Sequence, residues 1–185
     1  MQPEHRFPTE SRWIPARRLN RSRVPAGLLD WLLNTDSLTQ RLQALCPGRF
    51  SVRLHDHGWA RPTRGEARLL GCRRDRRALI RQVHLFCDAT PLVFARTVIP
   101  LTTLTGPRRR LARIGSRPLG ATLFADRSMR RGELQVTRLT PDNDPFTPAV
   151  SLLVSAPEVV WGRRSVFRLG GRPLLVSEFF LSEFS

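Results

Sequence analysis

Two β-type runs separated by only four residues constrain the fold of this chain more than any other feature. Residues 79–87 and 92–99 are rich in branched and aromatic side chains, and residues 88–91 form the short connection between them. A connection this short joins antiparallel neighbours, whereas parallel strands need a crossover of a dozen or more residues. The sequence therefore predicts a hairpin within an antiparallel sheet.

A second hairpin is predicted near the C-terminus, where Gly170 and Gly171 accept the positive φ angles of a tight turn between residues 165–169 and 174–181. Alternation also predicts strands at residues 50–54 and 133–139. Helices are expected to begin at Pro25, Ser37 and Pro118, with a further helical pattern at residues 107–114. About six strands with few intervening helices indicate an α+β fold: a single six-stranded antiparallel sheet with helices on one face.

The length of 185 residues suits one domain spanning residues 1–185, with residues 1–12 expected to be a disordered tail. Residues 56–77 are polar and rich in Arg and Gly, so we expect mostly loop. Residues 140–157 contain four prolines and are predicted to form an irregular insertion.

The net charge of +16 raises the question of a nucleic-acid partner. All of the positive charge is arginine, spread from end to end, and no helix-turn-helix, ribonucleoprotein or zinc-finger motif accompanies it. We therefore expect no nucleic-acid partner. No apolar run reaches the roughly 20 residues of a membrane span, and residues 1–23 lack the apolar core of a secretory signal, so a cytoplasmic location is expected.

The cysteines and histidines do not form a metal-binding or disulfide pattern. Cys46, Cys72 and Cys87 give an odd count with no close pair, so we expect three buried thiols rather than a disulfide. His55 and His57 are close, but no Cys, Asp or Glu completes a metal site around them. The sequence therefore predicts no metal.

Alternation places two charged residues on otherwise apolar strand faces. Arg81 points with Leu79, Val83 and Leu85, and Glu178 points with Leu174, Val176 and Phe180. A buried ion needs a partner, which leaves three alternatives: an Arg81–Glu178 ion pair, a solvent-exposed face, or a ligand site. In a ligand site the arginine suits a carboxylate and the glutamate a hydroxyl or a proton transfer. Arg96, which shares a face with Phe94 and Val98, is expected to have a structural role.

Five segments in order, covering the chain from about residue 13 to its end, resemble the bacterial chorismate pyruvate-lyase family. The first is Leu29-Asp30-Trp31-Leu32-Leu33 with Asp36-Ser37-Leu38-Thr39, and the second is Arg96-Thr97-Val98-Ile99-Pro100 with Thr103-Leu104-Thr105-Gly106-Pro107. The others are Gly115 with Arg117-Pro118-Leu119-Gly120 and Leu123-Phe124, then Trp161-Gly162-Arg163-Arg164-Ser165, and Gly171-Arg172-Pro173-Leu174-Leu175-Val176-Ser177-Glu178.

The resemblance implies a cofactor-independent carbon–oxygen lyase that converts chorismate to 4-hydroxybenzoate and pyruvate, the first step of ubiquinone biosynthesis. It also implies helical flaps over a buried ligand. Arg81 would hold the ring carboxylate, and Glu178 would meet the hydroxyl end. Leu119 would contact the ligand through its backbone N–H at a helix start, and Leu38 would make an apolar flap contact.

Several points stay open at this level. Arg96 or Arg163 could neutralise the enolpyruvyl carboxylate, and Glu178 could be a base for the C4 hydrogen or an anchor for the C4 hydroxyl. A cyclic transfer of that hydrogen onto the enolpyruvyl methylene would need no base. The alternative function is a non-catalytic effector-binding module of the same fold. We expect a monomer.

Overall fold

The computed structural model of the chain describes residues 9–182 and residue 184. Within them the strands are β1 (Thr9–Glu10), β2 (Ile14–Pro15), β3 (Phe50–Ala60), β4 (Ala78–Cys87), β5 (Thr90–Pro100), β6 (Met129–Arg131), β7 (Gln135–Leu139), β8 (Asn143–Asp144), β9 (Val160–Leu169) and β10 (Arg172–Phe180). The α-helices are α1 (Ala26–Leu33), α2 (Leu38–Leu45), α3 (Arg64–Leu70), α4 (Leu119–Phe124) and α5 (Phe146–Val150). Short 3₁₀ helices span Ala16–Arg18, Arg21–Arg23, Leu101–Thr103 and Gly106–Arg113.

One antiparallel sheet of eight strands organises this part of the chain, in the order β2-β7-β9-β10-β5-β4-β3, with β6 paired to β9 beside that path. Both predicted hairpins are confirmed: β4 pairs with β5, and β9 pairs with β10. The expected count of six strands is wrong, because β2 and β6 join the sheet as well. These two strands have only two and three residues, too few to show alternation in the sequence.

Helices cover both faces of the sheet, not one. We call the face that carries Arg81 and Val83 the front face, and the opposite face, which carries Ile80 and Phe94, the back face. Helices α1, α2 and α4 pack their apolar side chains on the front face. Helices α3 and α5 pack on the back face, where Leu70 contacts the cluster around Ile80 and Phe146 the cluster around Phe94.

The loop predicted for residues 56–77 is also wrong, because β3 continues to Ala60 and α3 follows it. Helix α3 begins with a capping box: Thr63 accepts from the Glu66 amide, and the Glu66 carboxylate accepts from the Thr63 amide. Ala67 and Leu70 are buried against the back face. The dense charge of this segment conceals a short amphipathic helix.

The N-terminal tail and the insertion are partly ordered. Residues 1–8 of the predicted tail lie outside the described residues, but Thr9 and Glu10 form β1, which pairs in parallel with β8, so the prediction of disorder fails there. Glu10 Oε1 accepts hydrogen bonds from Thr63 Oγ1 and the Gly65 amide, and these bonds fix the strand. The insertion at residues 140–157 carries β8 and α5, and α5 packs on the back face.

Cys46 and Cys87 form a disulfide bond, which contradicts the prediction of three thiols; Cys72 is a free thiol. The fold brings them together, because α2 ends beside Cys46 shortly before β3, and Phe50 of β3 pairs with Cys87. A separation of 41 residues gave no sign of this pairing. None of the helices described here is long and apolar enough to cross a membrane.

Candidate active site

A cavity lies between the front face of the sheet and helices α2 and α4. The four residues predicted for a ligand site, Leu38, Arg81, Leu119 and Glu178, all line it. Its floor comes from β4, β5, β9 and β10, and its remaining lining is Asp36, Thr39, Val52, Val83, Leu85, Ala95, Thr97, Pro118, Gly120, Leu123, Phe124, Arg131, Arg163, Phe167 and Val176. The apolar lining with a few charged groups suits a small polar aromatic ligand.

Arg81 is only 3% exposed, and two backbone carbonyls orient its side chain. Its Nε–H donates to the Gly115 carbonyl over 2.8 Å, and its Nη2–H donates to the Arg117 carbonyl over 2.9 Å. These carbonyls belong to the segment that leads into α4, so Arg81 also ties the cover of the cavity to its floor. Nη1 donates to no acceptor in residues 9–182 and 184, which leaves it available to a ligand.

The charge of Arg81 has no protein counterion in the described part of the chain, where no carboxylate lies within ion-pair distance of it. Burial lowers the pKa of Arg81 to about 10, so the guanidinium remains charged at neutral pH. A buried cation without a counterion is costly, and a carboxylate ligand would remove that cost. Of the three alternatives left by the sequence, this excludes an Arg81–Glu178 ion pair and an exposed face for Arg81.

Glu178 pairs instead with Arg163, its neighbour across the β9–β10 hairpin. The Arg163 Nε–H donates to Glu178 Oε2 over 2.6 Å, and Nη1 donates to the carbonyls of Trp31 and Asn34. Arg163 is 1% exposed, whereas the Glu178 side chain is 18% exposed toward the cavity. Oε1 of Glu178 accepts no hydrogen bond from the residues described, so it can accept one from a ligand hydroxyl.

The register of the sheet places Arg81 and Glu178 at opposite ends of the cavity floor. Arg81 pairs with Thr97 of β5, and Glu178 pairs with Ala95, two residues further along the same strand. Two strand spacings across and two residues along put their Cα atoms about 12 Å apart. Both side chains project from the front face into the same cavity.

Arg96 does not belong to this cavity. It lies on the back face and forms a two-pronged ion pair with the buried Glu66, with Nε–H to Oε1 at 2.8 Å and Nη2–H to Oε2 at 3.1 Å. Burial raises the pKa of Glu66, but the bonds from Arg96 outweigh it and leave that pKa below its usual value. The structural role expected for Arg96 is therefore confirmed, and its candidacy for the enolpyruvyl carboxylate is wrong.

Helices α2 and α4 cover the cavity through a close contact at Gly120. A Cβ atom at Gly120 would lie 2.8 Å from Thr39 Oγ1 and 3.2 Å from Ser37 Oγ, so only glycine allows this approach. Ser37 caps α2 by accepting from the Gln40 amide, as predicted. Pro118, the N-cap of α4, supplies no side-chain acceptor to the Leu119 end of that helix.

Sequence reasoning missed Arg131, which enters the cavity from β6. Its Nε–H donates to Ser165 Oγ over 3.0 Å, and its Nη1–H donates to the Thr35 carbonyl over 2.6 Å. Burial, and then the nearby Arg163, lower the pKa of Arg131. A three-residue strand in an arginine-rich stretch offers no alternation that would single it out.

None of the described residues forms a cluster of three His, Cys, Asp or Glu side chains that could hold a metal ion. The charged groups that face the cavity are instead three guanidinium groups and two carboxylates: Arg81, Arg131, Arg163, Asp36 and Glu178. Guanidinium groups bind carboxylates in two-pronged geometry. The arrangement therefore suits an anionic organic ligand.

The sequence is similar to a known family of proteins. Residues 7–184 match the model of a family described as chorismate lyase. A probable chorismate pyruvate-lyase of Methylococcus capsulatus is 47% identical over 151 residues, covering 82% of this chain and 92% of that protein. A second, from Azoarcus sp., is 46% identical over 158 residues and covers 83% of each chain.

Solved structures share the fold at low sequence identity. PhnF from Mycobacterium smegmatis matches with a TM-score of 0.59 and 17% identity, covering 83% of this chain and 67% of that one. The ligand-binding domain of a putative GntR-family transcriptional regulator from Bordetella bronchiseptica matches with a TM-score of 0.54 and 18% identity, covering 74% and 87%. These two likenesses concern the fold alone. The family match and the two curated relatives show that this chain belongs to the chorismate lyase family.

Proposed function

We propose that this chain is a chorismate pyruvate-lyase, a carbon–oxygen lyase that eliminates pyruvate from chorismate and leaves 4-hydroxybenzoate for ubiquinone biosynthesis. One observation carries the proposal: Arg81 and Glu178 line opposite ends of one covered cavity, and Arg81 has no carboxylate partner in the described residues. The names of the relatives in Methylococcus capsulatus and Azoarcus sp. support the same activity.

Arg81 binds the ring carboxylate in this proposal. Its Nε and Nη2 groups are held by the Gly115 and Arg117 carbonyls, so Nη1 has a fixed direction before the ligand arrives. The first backbone N–H groups of α4, beginning at Leu119, have no side-chain cap and lie on the same cavity wall. Leu38 closes the cavity with an apolar contact from α2.

The elimination balances without an oxidant or a reductant. The ring loses its C4 hydrogen, the bond between C3 and the ether oxygen breaks, and the departing enolpyruvate takes up one proton to become pyruvate. The ring keeps the C4 hydroxyl and becomes aromatic, which supplies the driving force. The protein then contributes mainly by holding the substrate in a reactive geometry and by excluding water from the cavity.

Glu178 positions the C4 hydroxyl rather than removing the C4 hydrogen. Its Oε2 already accepts from the buried Arg163, which fixes the carboxylate and leaves Oε1 directed at the ligand. A hydroxyl that donates to this oxygen would be held in one orientation. The C4 hydrogen can then pass to the enolpyruvyl methylene in a cyclic step that needs no base.

A non-catalytic effector-binding module is the second candidate, favoured by the fold shared with a regulator's ligand-binding domain. Such a module would bind 4-hydroxybenzoate or chorismate without converting either. We prefer the lyase because the family match spans residues 7–184 and the relatives carry the enzyme's name. We also propose that the protein acts as a monomer, since one chain supplies the whole cavity lining, and that it is cytoplasmic and has no nucleic-acid partner.

Incubation of the pure protein with chorismate tests the proposal. The lyase must release 4-hydroxybenzoate and pyruvate in equal amounts, faster than chorismate decays in buffer. The Arg81→Ala variant from the same purification is the control for a contaminating enzyme, because it should lose this activity. Binding of 4-hydroxybenzoate without any release of pyruvate from chorismate would instead identify an effector-binding module.

A further inference from the structure

Arg131 is a half-buried cation at the Glu178 end of the cavity. It stands on β6 opposite Phe167 of β9, and its guanidinium reaches Ser165, two residues from Arg163 along the same strand. Residues two apart in a strand point to the same face, so the Arg131 and Arg163 guanidinium groups approach one cavity end together. No carboxylate of residues 9–182 and 184 forms an ion pair with Arg131.

The charges at that end do not balance. Glu178 pairs with Arg163 over 2.6 Å, which leaves Arg131 without an ion pair of its own, although Glu178 and Asp36 lie near enough to act on it. Asp36 also faces the cavity, but it is exposed at the mouth, where water weakens its effect. Arg81 is the corresponding uncompensated cation at the opposite end. Once the Arg163–Glu178 pair and the exposed Asp36 are set aside, the cavity lining carries two positive charges, those of Arg81 and Arg131.

We propose that Arg131 binds the enolpyruvyl carboxylate of chorismate and so distinguishes the dianionic substrate from the monoanionic product. This inference rests on the proposed function. Chorismate carries two carboxylates, one on the ring and one on the enolpyruvyl group, and the cavity offers one free guanidinium for each. The enolpyruvyl ether is attached to C3, beside the C4 hydroxyl assigned to Glu178, so its carboxylate lies at the Arg131 end.

The neighbouring Arg163 is less suited to binding the enolpyruvyl carboxylate. Arg163 also has two groups fixed, with Nε on Glu178 and Nη1 on the Trp31 and Asn34 carbonyls. Its charge, however, is already neutralised by Glu178, so it anchors α1 to the floor of the cavity. Arg131 has two groups fixed, Nε by Ser165 and Nη1 by the Thr35 carbonyl, and Nη2 has no acceptor among the described residues. This matches the arrangement of Arg81, in which two fixed groups orient a third toward the cavity.

The test compares substrate and product in Arg131→Met, which keeps an unbranched, flexible side chain but removes the charge. We expect kcat/KM for chorismate to fall about 10- to 100-fold, the effect of one charge-assisted hydrogen bond, while the Kd for 4-hydroxybenzoate changes less than about threefold. Arg131→Lys should recover part of the loss. The control is Arg130→Met, the same change one position away at an exposed residue outside the cavity, which should behave as wild type.

Equal losses for chorismate and 4-hydroxybenzoate would show that Arg131 only supports the fold, and unchanged chorismate kinetics would also overturn the inference. If Arg131→Met does not fold by its thermal transition, Arg131→Gln, which keeps a donor for Thr35, carries the same comparison. If the wild type does not turn over chorismate, the proposed function fails separately. Calorimetry with intact chorismate then tests Arg131 alone, and equal chorismate affinity in wild type and variant would overturn its assignment.

Discussion

Arg163 and Glu178 form the ion pair of the cavity, with 2.6 Å between Nε and Oε2 on adjacent strands. The two side chains differ in exposure: Arg163 is enclosed by α1 and the sheet, whereas Glu178 reaches the cavity. Glu178 therefore neutralises a buried cation through one oxygen, while its other oxygen accepts no hydrogen bond from the described residues. Because Glu178 pairs with Arg163, Arg81 has no ion-pair partner among the described residues, which is what the proposed binding of a ligand carboxylate requires.

Glu178→Gln separates the two roles of this carboxylate. Glutamine keeps an acceptor for the C4 hydroxyl but removes the charge that Arg163 needs, and breaking a buried pair costs at most about 3–5 kcal/mol. We expect a lower Tm and a higher KM, with kcat within about tenfold of wild type because no base is lost. Thermal unfolding and steady-state kinetics measure these effects. A kcat lower by about 1000-fold or more would mean that Glu178 acts as a base.

Arg81→Ala should weaken 4-hydroxybenzoate binding at least about a hundredfold, because the ligand carboxylate would be buried without its cation. The affinity of Arg81→Lys for 4-hydroxybenzoate should lie between those of the wild type and Arg81→Ala, since lysine keeps the charge but cannot hold both the carbonyls and the ligand. Arg77→Ala is the matched control: it removes the same charge from an exposed loop. Calorimetric affinities that are the same for Arg81→Ala and Arg77→Ala would contradict the assignment.

Gly120→Ala should disturb the cover of the cavity. The added Cβ would lie 2.8 Å from Thr39 Oγ1, so the Thr39 side chain or the two helices must shift, at a cost of about 1–3 kcal/mol. We expect faster release of 4-hydroxybenzoate in stopped-flow experiments and a lower affinity. Gly58→Ala, where no atom lies within 4 Å of the new Cβ, is the control and should release product as wild type does. Unchanged release from Gly120→Ala would show that the two helices do not control access.

The environment of His84 leads us to expect that the folded protein is less stable in acid. Burial lowers the pKa of His84, although its Nε2–H donates to the Ala149 carbonyl over 3.0 Å. Below pH 6.5 the unfolded chain binds a proton at this histidine and the folded chain does not, so stability falls as the pH drops toward the folded-state pKa. Thermal unfolding at pH 7.5 and 5.5 measures the decrease. The loss of stability between pH 7.5 and 5.5 should be smaller in His84→Gln. An identical pH dependence of stability in wild type and variant would disprove the role of His84.

Alternation singled out Arg81 and Glu178, and the family resemblance supplied the expectation that they bind a ligand. Arg81 and Glu178 stand out because each interrupts an apolar strand face, and the sheet register then brings both into one cavity. The partner of Glu178 could not be read from one strand, since it depends on the β9–β10 pairing that places Arg163 opposite. Pairing across strands is a property of the turn and the register together.

Three features were not predicted from the sequence: helix α3, the disulfide bond and the role of Arg131. Helix α3 carried a readable signal in its Thr63-to-Glu66 capping box, but the surrounding arginines suggested a loop. The disulfide between Cys46 and Cys87 depends on where α2 ends relative to β3, which spacing in the sequence does not reveal. Arg131 was one of 31 basic residues, and only its half-buried position in the cavity lining beside Arg163 distinguishes it.

A crystal structure with 4-hydroxybenzoate tests the central claim most directly, because it shows which groups hold each end of the ring. The account predicts the carboxylate within hydrogen-bond distance of Arg81 Nη1 and the hydroxyl within hydrogen-bond distance of Glu178 Oε1, with the Arg163–Glu178 pair intact. A ligand bound elsewhere, or bound with its carboxylate at Glu178 and its hydroxyl at Arg81, would contradict it.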